Sequence, residues 1–503
     1  MHLSELEQMY RKSNQPELTP DNFEMPFSGK LSPDNRWVIM AELIPWAEFE
    51  VEYAEKFSEK MGAPAKPFRM ALGALIIKEK LRTSDRETIE HIRENPYLQY
   101  FIGMSNYSND SPFEASMMVY FRERIKMDFV KKINQKMVKD FQDETEKTET
   151  ETETEGNKKK QETELEETKN KGKLILDATA APADITHPND LGILNQSRKQ
   201  GEKLIDYLHQ NQKNSLDKKP RTYRKKARKD YLKIAKKRRV SQKERKDAIA
   251  KQLQYIKRNL SHIENLVNSG AELSSLSRRQ YKMLLVITEV YRQQLWMYQN
   301  ESNRIEDRIV SISQPHIRPI VRGKAKKPVE FGAKLSVSCF DNYVFLDHLS
   351  WDNFNESGDL QTQVEAYKNY TGYYPTSVHV DKIYRTRANR AWCKEKGIRI
   401  SGSPLGRKPK NISKQAKKQA VDDEKFRNLI EGKFGQAKRR YSLDCIMSKL
   451  PSTSETSIAI IFLVINLSSL LRQVNCLFLS LFMNPSKLGF FLDCSIVKAD
   501  MKA

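Results

Sequence analysis

Three carboxylates far apart in the chain sit in contexts that suit metal-dependent chemistry. Asp177 ends the apolar run of "KLILDATAAPADITHP", Asp381 closes the short run "TSVHVD", and Glu431 lies in "FRNLIEGKFGQAKRR", a stretch otherwise crowded with arginine and lysine. Projected as a helix at about 100° per residue, that last stretch puts Phe426, Ile430, Phe434, Ala437 and Tyr441 within roughly 40° of one direction, a core stripe. Arg427, Lys438 and Glu431 fall at about 60°, 80° and 100° to one side of it. The acid therefore stands at the margin of a buried face, where a side chain is held firmly and still reaches a substrate. Two acids at the ends of apolar strands and a third on a helix packed against the sheet form an oxygen-only donor set, which suits Mg²⁺ or Mn²⁺. Two such ions roughly 4 Å apart relieve the repulsion among the acids, activate a water or 3′-hydroxyl, and stabilise the leaving oxygen of a phosphodiester. Arg427 and Lys438, joined by Arg439 and Arg385, are expected to hold DNA phosphates alongside. Taken singly, a strand-end Asp is commonly a cap and a helix Glu a surface ion pair; the joint pattern is what points to metal chemistry.

The elements that must position these acids are legible around them. "KLILD" reads as a buried strand ending at Asp177, and "VEFGAKLSVSCFDNYVFLDHLSW" as a hairpin turning at Asp341-Asn342. A helix-like "QTQVEAYKNY" precedes the strand ending at Asp381, and a helix from about Arg387 to Lys396 is stopped by Gly397 before another strand. Strands alternating with helices make this an α/β domain over residues 172–450. A polar helical insertion occupies about 190–320 within it. Asp184, Asp190, Asp341, Asp347 and Asp352 read as turn or hairpin residues, and His187 and His379 as structural histidines.

Ahead of this domain, residues 1–140 read as an all-α region for DNA binding or multimerisation. Ser84 and Glu87 have the spacing of a capping box, and Ser111, Pro112 and Glu114 repeat the device before Met118, Phe121 and Ile125. Short helices joined by tight turns serve equally as a helix-turn-helix reader or a packing bundle. Residues 141–171 read as a low-complexity, acidic, Thr-rich linker with no apolar face to bury and so are expected to be disordered. A C-terminal helical segment, 451–503, contains the most apolar stretch, "SIAIIFLVINLSSLLRQVNCLFLSLF", broken by Asn466, serines and Arg472 and so expected to be a buried helix, not a membrane span.

The charge balance fits a polyanionic partner. Lys and Arg total 87 against 65 Asp and Glu, a net +22 over 503 residues. From Arg221 to Arg245 there are 13 basic residues and 2 acids. Such a run repels itself without a counter-polyanion, so Lys225, Lys226, Arg228, Lys236, Lys237, Arg238 and Arg239 are expected to contact the DNA backbone. Five scattered cysteines without a CxxC pair argue against a disulfide framework or structural zinc, and the polar N-terminus shows no secretory signal.

"LILDATAAPADITHPND", "VDKIYRTRANRAWCKEKGI" and "RNLIEGKFGQAKRRYSL" together resemble bacterial insertion-sequence transposases of the DDE type with a ribonuclease-H-like core, close to insertion sequence family five. The region around "PFRMALGALIIKEKL" and "ENPYLQYFIGM" is similar to the domain preceding the core in that group. The resemblance implies Asp177, Asp381 and Glu431 as catalytic, metal-binding acids for two Mg²⁺ or Mn²⁺ ions. In the related families a Tyr, Arg, Glu and Lys recur at fixed spacing in the third motif; Arg427, Glu431 and Lys438 match, and Glu424 stands where the Tyr would be. The implied activity is binding of terminal inverted repeats, cleavage and strand transfer into target DNA, by a homo-oligomer in a synaptic complex in the nucleoid-bearing cytoplasm. The competing readings are a stand-alone metal-dependent nuclease and a catalytically silent DNA-binding derivative.

Overall fold

A computed structural model of the chain describes residues 10–11, 23–25, 29–58, 62–154, 170–211, 219–321, 329–402 and 413–482. The middle of the acidic linker, 155–169, and the tail, 483–503, lie outside the described residues. Among the described residues, seven N-terminal helices precede the sheet: α1 (Arg36–Glu42), α2 (Trp46–Ala54), α3 (Phe68–Leu81), α4 (Asp85–Glu94), α5 (Pro96–Phe101), α6 (Met117–Ile125) and α7 (Met127–Thr154). The Ser84–Glu87 capping box is formed at α4. The second expected start is not: α6 begins at Met117, and Ser111 and Pro112 lie in the turn before it, although Met118, Phe121 and Ile125 are buried as their spacing predicts. Here Phe113 is drawn into the core against Phe121, which holds the chain out of the helical path. Helix α7 continues to Thr154, so the acidic stretch opens inside a helix instead of after one.

Strands β1 (Lys173–Pro182), β2 (Arg318–Val321), β3 (Val329–Phe340), β4 (Tyr343–Ser350), β5 (Ser377–Val380) and β6 (Arg399–Ile400) form one mixed sheet. β1 runs antiparallel to β3, which pairs on its other edge with β2 and β4; β5 and β6 run parallel to β1 in the order β1-β5-β6. The β3–β4 hairpin turns on Asp341 and Asn342, both at positive φ (47° and 67°), as a two-residue primed turn requires. Asp347 is not in that turn: it lies in β4, taking hydrogen bonds from Ser338 Oγ and Gln363 Nε2.

The sheet is flanked by α12 (Leu360–Thr371), α13 (Arg387–Glu395), α14 (Lys414–Arg440) and α15 (Pro451–Phe482). Helix α15 is long and apolar enough to cross a membrane, but 83% of its most apolar window is buried within the protein, against α7, α3, α6 and β4. Buried Asn466 explains the arrangement: its amide donates to Asn134 Oδ1 and the Val344 carbonyl and accepts from the Val344 N–H. One core runs without a break from Phe23 through the N-terminal helices and the sheet to Leu471. The insertion, α8 (Asp190–Asn211), α9 (Arg224–Ala235), α10 (Gln242–Asn268) and α11 (Arg278–Gln299), packs around its own cluster, including Leu204, Ile205, Ile256 and Ile287.

Candidate active site

Asp177 and Asp381 are brought together by strand register. The parallel pairing of β1 with β5 ends at Leu176 opposite Val380, so the two acids occupy neighbouring positions one step beyond it. Asp177 is therefore at the end of the β1–β5 pair but not at the end of its strand, because β1 continues along β3 to Pro182 opposite Gly332. The small residues of "ATAAP" sustain that strand by close packing: a side-chain carbon on Gly332 would stand 2.0 Å from the Ala181 carbonyl oxygen. Asp381 is exposed, and its carboxylate caps the following turn through the Lys382 N–H at 2.6 Å.

Helix α14 lies across β1 and β5 with Ile430, Phe434 and Ala437 buried and Phe426 half-buried, the stripe expected from the sequence. Near its N-terminal half, Asp423 is clamped by Arg399 of β6 through two hydrogen bonds of 2.7 and 2.8 Å and lies 3.6 Å from His379 of β5. Burial alone would raise the Asp423 carboxyl; hydrogen bonds from Arg399 and Gln419 outweigh it and hold the group below its ordinary range. Further along, buried Lys433 donates to Ser469 of α15. At the far end, Arg82 of α3's left-handed cap donates to the Arg439 carbonyl and pairs with Asp444. Glu431 is thus set by a helix fastened at three levels.

Arg427 is the centre of the arrangement. Its guanidinium lies 3.1 Å from Glu431, 3.9 Å from Asp177 and 2.7 Å from Glu424. These contacts, Glu424 first, hold the guanidinium above even its usual pKa. Asp177 is pushed up to about 6, chiefly by burial, opposed by the Ala178 N–H and Arg427 and reinforced by the charges of Asp381 and Glu431. The three acids therefore share one electrostatic site. Among the described residues, no three His, Cys, Asp or Glu side chains are gathered closely enough to hold a metal ion as they stand. In kind they fit a hard divalent cation: all donors are oxygens, their charges repel, and a guanidinium already stands between two of them.

The expected phosphate contacts divide into two groups. Arg385 is half-buried, donating to the Val380 carbonyl, and its guanidinium lies over Gly402, where a side-chain carbon would stand 1.9 Å from Nη1. Its Nε is buried without a partner in the structure. Lys438 is half-buried and Arg439 exposed on α14. Lys225, Lys226, Arg228, Lys236, Lys237, Arg238 and Arg239 are all exposed on α9 and the turn after it, with Lys237 paired to Glu244. Asp190 pairs with Arg308, and Asp352 lies 3.7 Å from Arg318. Buried His379 shares a hydrogen bond with Ser377 Oγ, and burial lowers it to about 4, which makes it structural; His187 is exposed, with its ring edge-to-face against Phe331. Sequence reasoning missed Asp423 and Arg399. The only signal was an acidic pair, Asp422-Asp423, one turn before Arg427, and nothing in it names a partner 24 residues away.

Comparison with known proteins gives two family matches. Residues 378–468, which include Asp381 and Glu431, match a model described as a transposase DDE domain, and residues 26–124 match one described as a transposase domain (DUF772). Over 95 residues the chain is 35% identical to a Rhizobium meliloti protein described as uncharacterized protein ORF8 in the nfe locus. That stretch is 19% of this chain and 45% of the relative, so the chain spans less than half of that protein's length. No solved structure matches.

Proposed function

We propose that this chain is a DDE-type insertion-sequence transposase, a reading supported by its matches to a transposase DDE domain and a transposase domain, and that it binds the ends of its element and catalyses metal-dependent DNA strand cleavage and strand transfer. The observation that carries this reading is the convergence of Asp177, Asp381 and Glu431 on one electrostatic site beside Arg427. The strand order β4-β3-β1-β5-β6, antiparallel in its first three members and parallel in its last three, supports a ribonuclease-H-like core.

Asp177, Asp381 and Glu431 would hold the divalent ions, two in number. Such ions, when bound, activate an attacking water or 3′-hydroxyl and neutralise charge on the leaving oxygen. The chain's own residues do the rest. Asp177 must be ionised to serve as a ligand, which its raised pKa makes incomplete below about pH 6. Arg385, four residues after Asp381, and Lys438 and Arg439, about two turns beyond Glu431 on α14, orient the phosphate backbone, while the exposed basic face of α9 grips DNA at a distance. The partners are then duplex DNA, as terminal repeats and target, and further copies of the chain in a synaptic complex, working in the cytoplasm.

The test is incubation of the full chain with a plasmid carrying its own gene and flanks, in Mg²⁺ or Mn²⁺, beside Glu431→Gln. End-specific cuts and joined products present in the wild type and absent in the variant are expected. DNA binding without metal-dependent cutting in either protein would favour a silent DNA-binding derivative.

A further inference from the structure

Glu424, Arg427 and Glu431 fall at i, i+3 and i+7 of α14 and so share one face. The guanidinium divides its donors between two sides. Nε and Nη2 both donate to Glu424 Oε1, at 3.2 and 2.7 Å, with Nη2 also 3.5 Å from Asn428 Oδ1. Nη1 points the other way, toward Glu431 Oε1 and Asp177 Oδ2. Its side chain is 14% exposed, whereas both glutamates exceed 50%, so the cation is the buried member of the group.

A phosphate-binding arginine would present its planar fork outward. Here the fork is committed to carboxylates, two of which are expected metal ligands. Any divalent ion reaching Asp177 and Glu431 meets a positive charge already in contact with both. A guanidinium is strongly disfavoured without partners at a partly buried position, so it leaves those acids readily only if another anion keeps it. Glu424 is that anion, one helical turn away from the site.

We propose that Arg427 is the resident counter-cation of the acidic centre, that an entering divalent ion takes over its contacts with Asp177 and Glu431, and that Glu424 is the positioning residue that keeps the displaced guanidinium beside the site. This rests on reading the three acids as the ion-binding set. Arg427 and the ion then compete, and Glu424 biases the competition toward the ion.

The experiment is titration of Mn²⁺ into the full chain without DNA, following free Mn²⁺ by its paramagnetic resonance signal, with thermal melts to verify that each variant folds. Expected is a dissociation constant raised roughly three- to fivefold in Glu424→Gln and lowered by a similar factor in Arg427→Gln, the size of one partly exposed ion pair. The double variant should match Arg427→Gln alone, because a residue acting through Arg427 has no effect once Arg427 is gone. If the Glu424→Gln weakening persists in the double variant, Glu424 acts by its own charge and the proposal fails. It fails equally if Arg427→Gln binds Mn²⁺ more weakly than the wild type, since Arg427 would then be organising the ligands. Should Arg427→Gln not fold, Arg427→Met, which keeps an apolar stem for packing and removes the charge, replaces it in the same cycle. A wild type that binds no Mn²⁺ overturns the metal reading as well; one that binds Mn²⁺ and cuts element ends without this coupling overturns the proposal alone.

Discussion

Asp177 is a carboxylate folded into a place that disfavours its charge, and that has a measurable cost in the metal-free protein. Its pKa of about 6 against an ordinary 3.8 means that the folded chain binds a proton more tightly than the unfolded chain does. Stability contributed by this group is therefore greatest below pH 4 and declines as pH rises through 6. Asp177→Asn should stabilise the metal-free fold at pH 7, on the order of 2 kcal/mol, with the gain vanishing near pH 4; urea melts at the two pH values check both magnitude and sign. The same residue predicts ion binding that weakens as pH drops below 6. Gly402 makes a second case at this scale. It sits at φ +96° with the Arg385 guanidinium where a side chain would be. Gly402→Ala should displace Arg385 and cost about 1–3 kcal/mol, visible as a lowered melting temperature. Asp177 stood out in the sequence because an acid after an apolar run is conspicuous, whereas Gly402 did not; a glycine under an arginine 17 positions away is a tertiary fact, and nothing local encodes it.

At the scale of elements, α14 decides whether Glu431 meets the two aspartates. Its apolar stripe was legible because burial on one face of a helix leaves a 3.6-residue period, and Ile430, Phe434 and Ala437 follow it. The expected start of α6 was wrong for a complementary reason: a capping pattern is local, whereas Phe113, inside the expected first turn, is buried with its ring edge-to-face against Phe121. The tie between the first half of α14 and the sheet was not legible, since the Arg399–Asp423 clamp joins distant segments. Asp423→Asn should therefore cost stability, about 1–3 kcal/mol, and disturb cutting more than a loss of that size explains, because Arg427 and Glu431 lie one and two turns beyond it. Melts and cleavage rates on the same preparation separate the two effects. Helix α9 carries a different load. Its basic residues are exposed and largely unopposed, so reversing Lys225, Lys226 and Arg228 to Glu should weaken DNA binding generally, without sequence preference. The slope of log affinity against log salt should become shallower by roughly 0.9 for each phosphate that the variant no longer neutralises, as read by binding titrations at several salt concentrations.

At the scale of the whole molecule, the distribution of apolar residues divides the chain differently from its order in sequence. Composition shifts suggested four successive segments, yet a single core joins the N-terminal helices, the sheet and α15, while the insertion keeps a core to itself. Sequence hydropathy shows that a segment will be buried and is silent on what will cover it: α15 was expected to be a buried helix, but its neighbours appear only when Asn466 is seen bonded to α7 and β4 at once. Asn466→Leu would keep the volume, leave the Val344 N–H and Asn134 Oδ1 without the partner they have in Asn466, and leave the Val344 carbonyl only the longer bond from Asn134 Nδ2. That should cost about 2–4 kcal/mol, felt simultaneously by probes in the N-terminal helices and in the sheet because they share one core. Ile256→Ala, a fully buried position in the insertion, should cost a similar amount but unfold α8 to α11 first and leave the main body's transition in place. Hydrogen exchange resolved by segment distinguishes the outcomes: common protection loss in the N-terminal helices, the sheet and α15 in the first variant, loss confined to α8–α11 in the second. If Ile256→Ala lowers protection equally everywhere, the insertion is not an independent unit, and the basic face of α9 is held rigidly to the acidic centre.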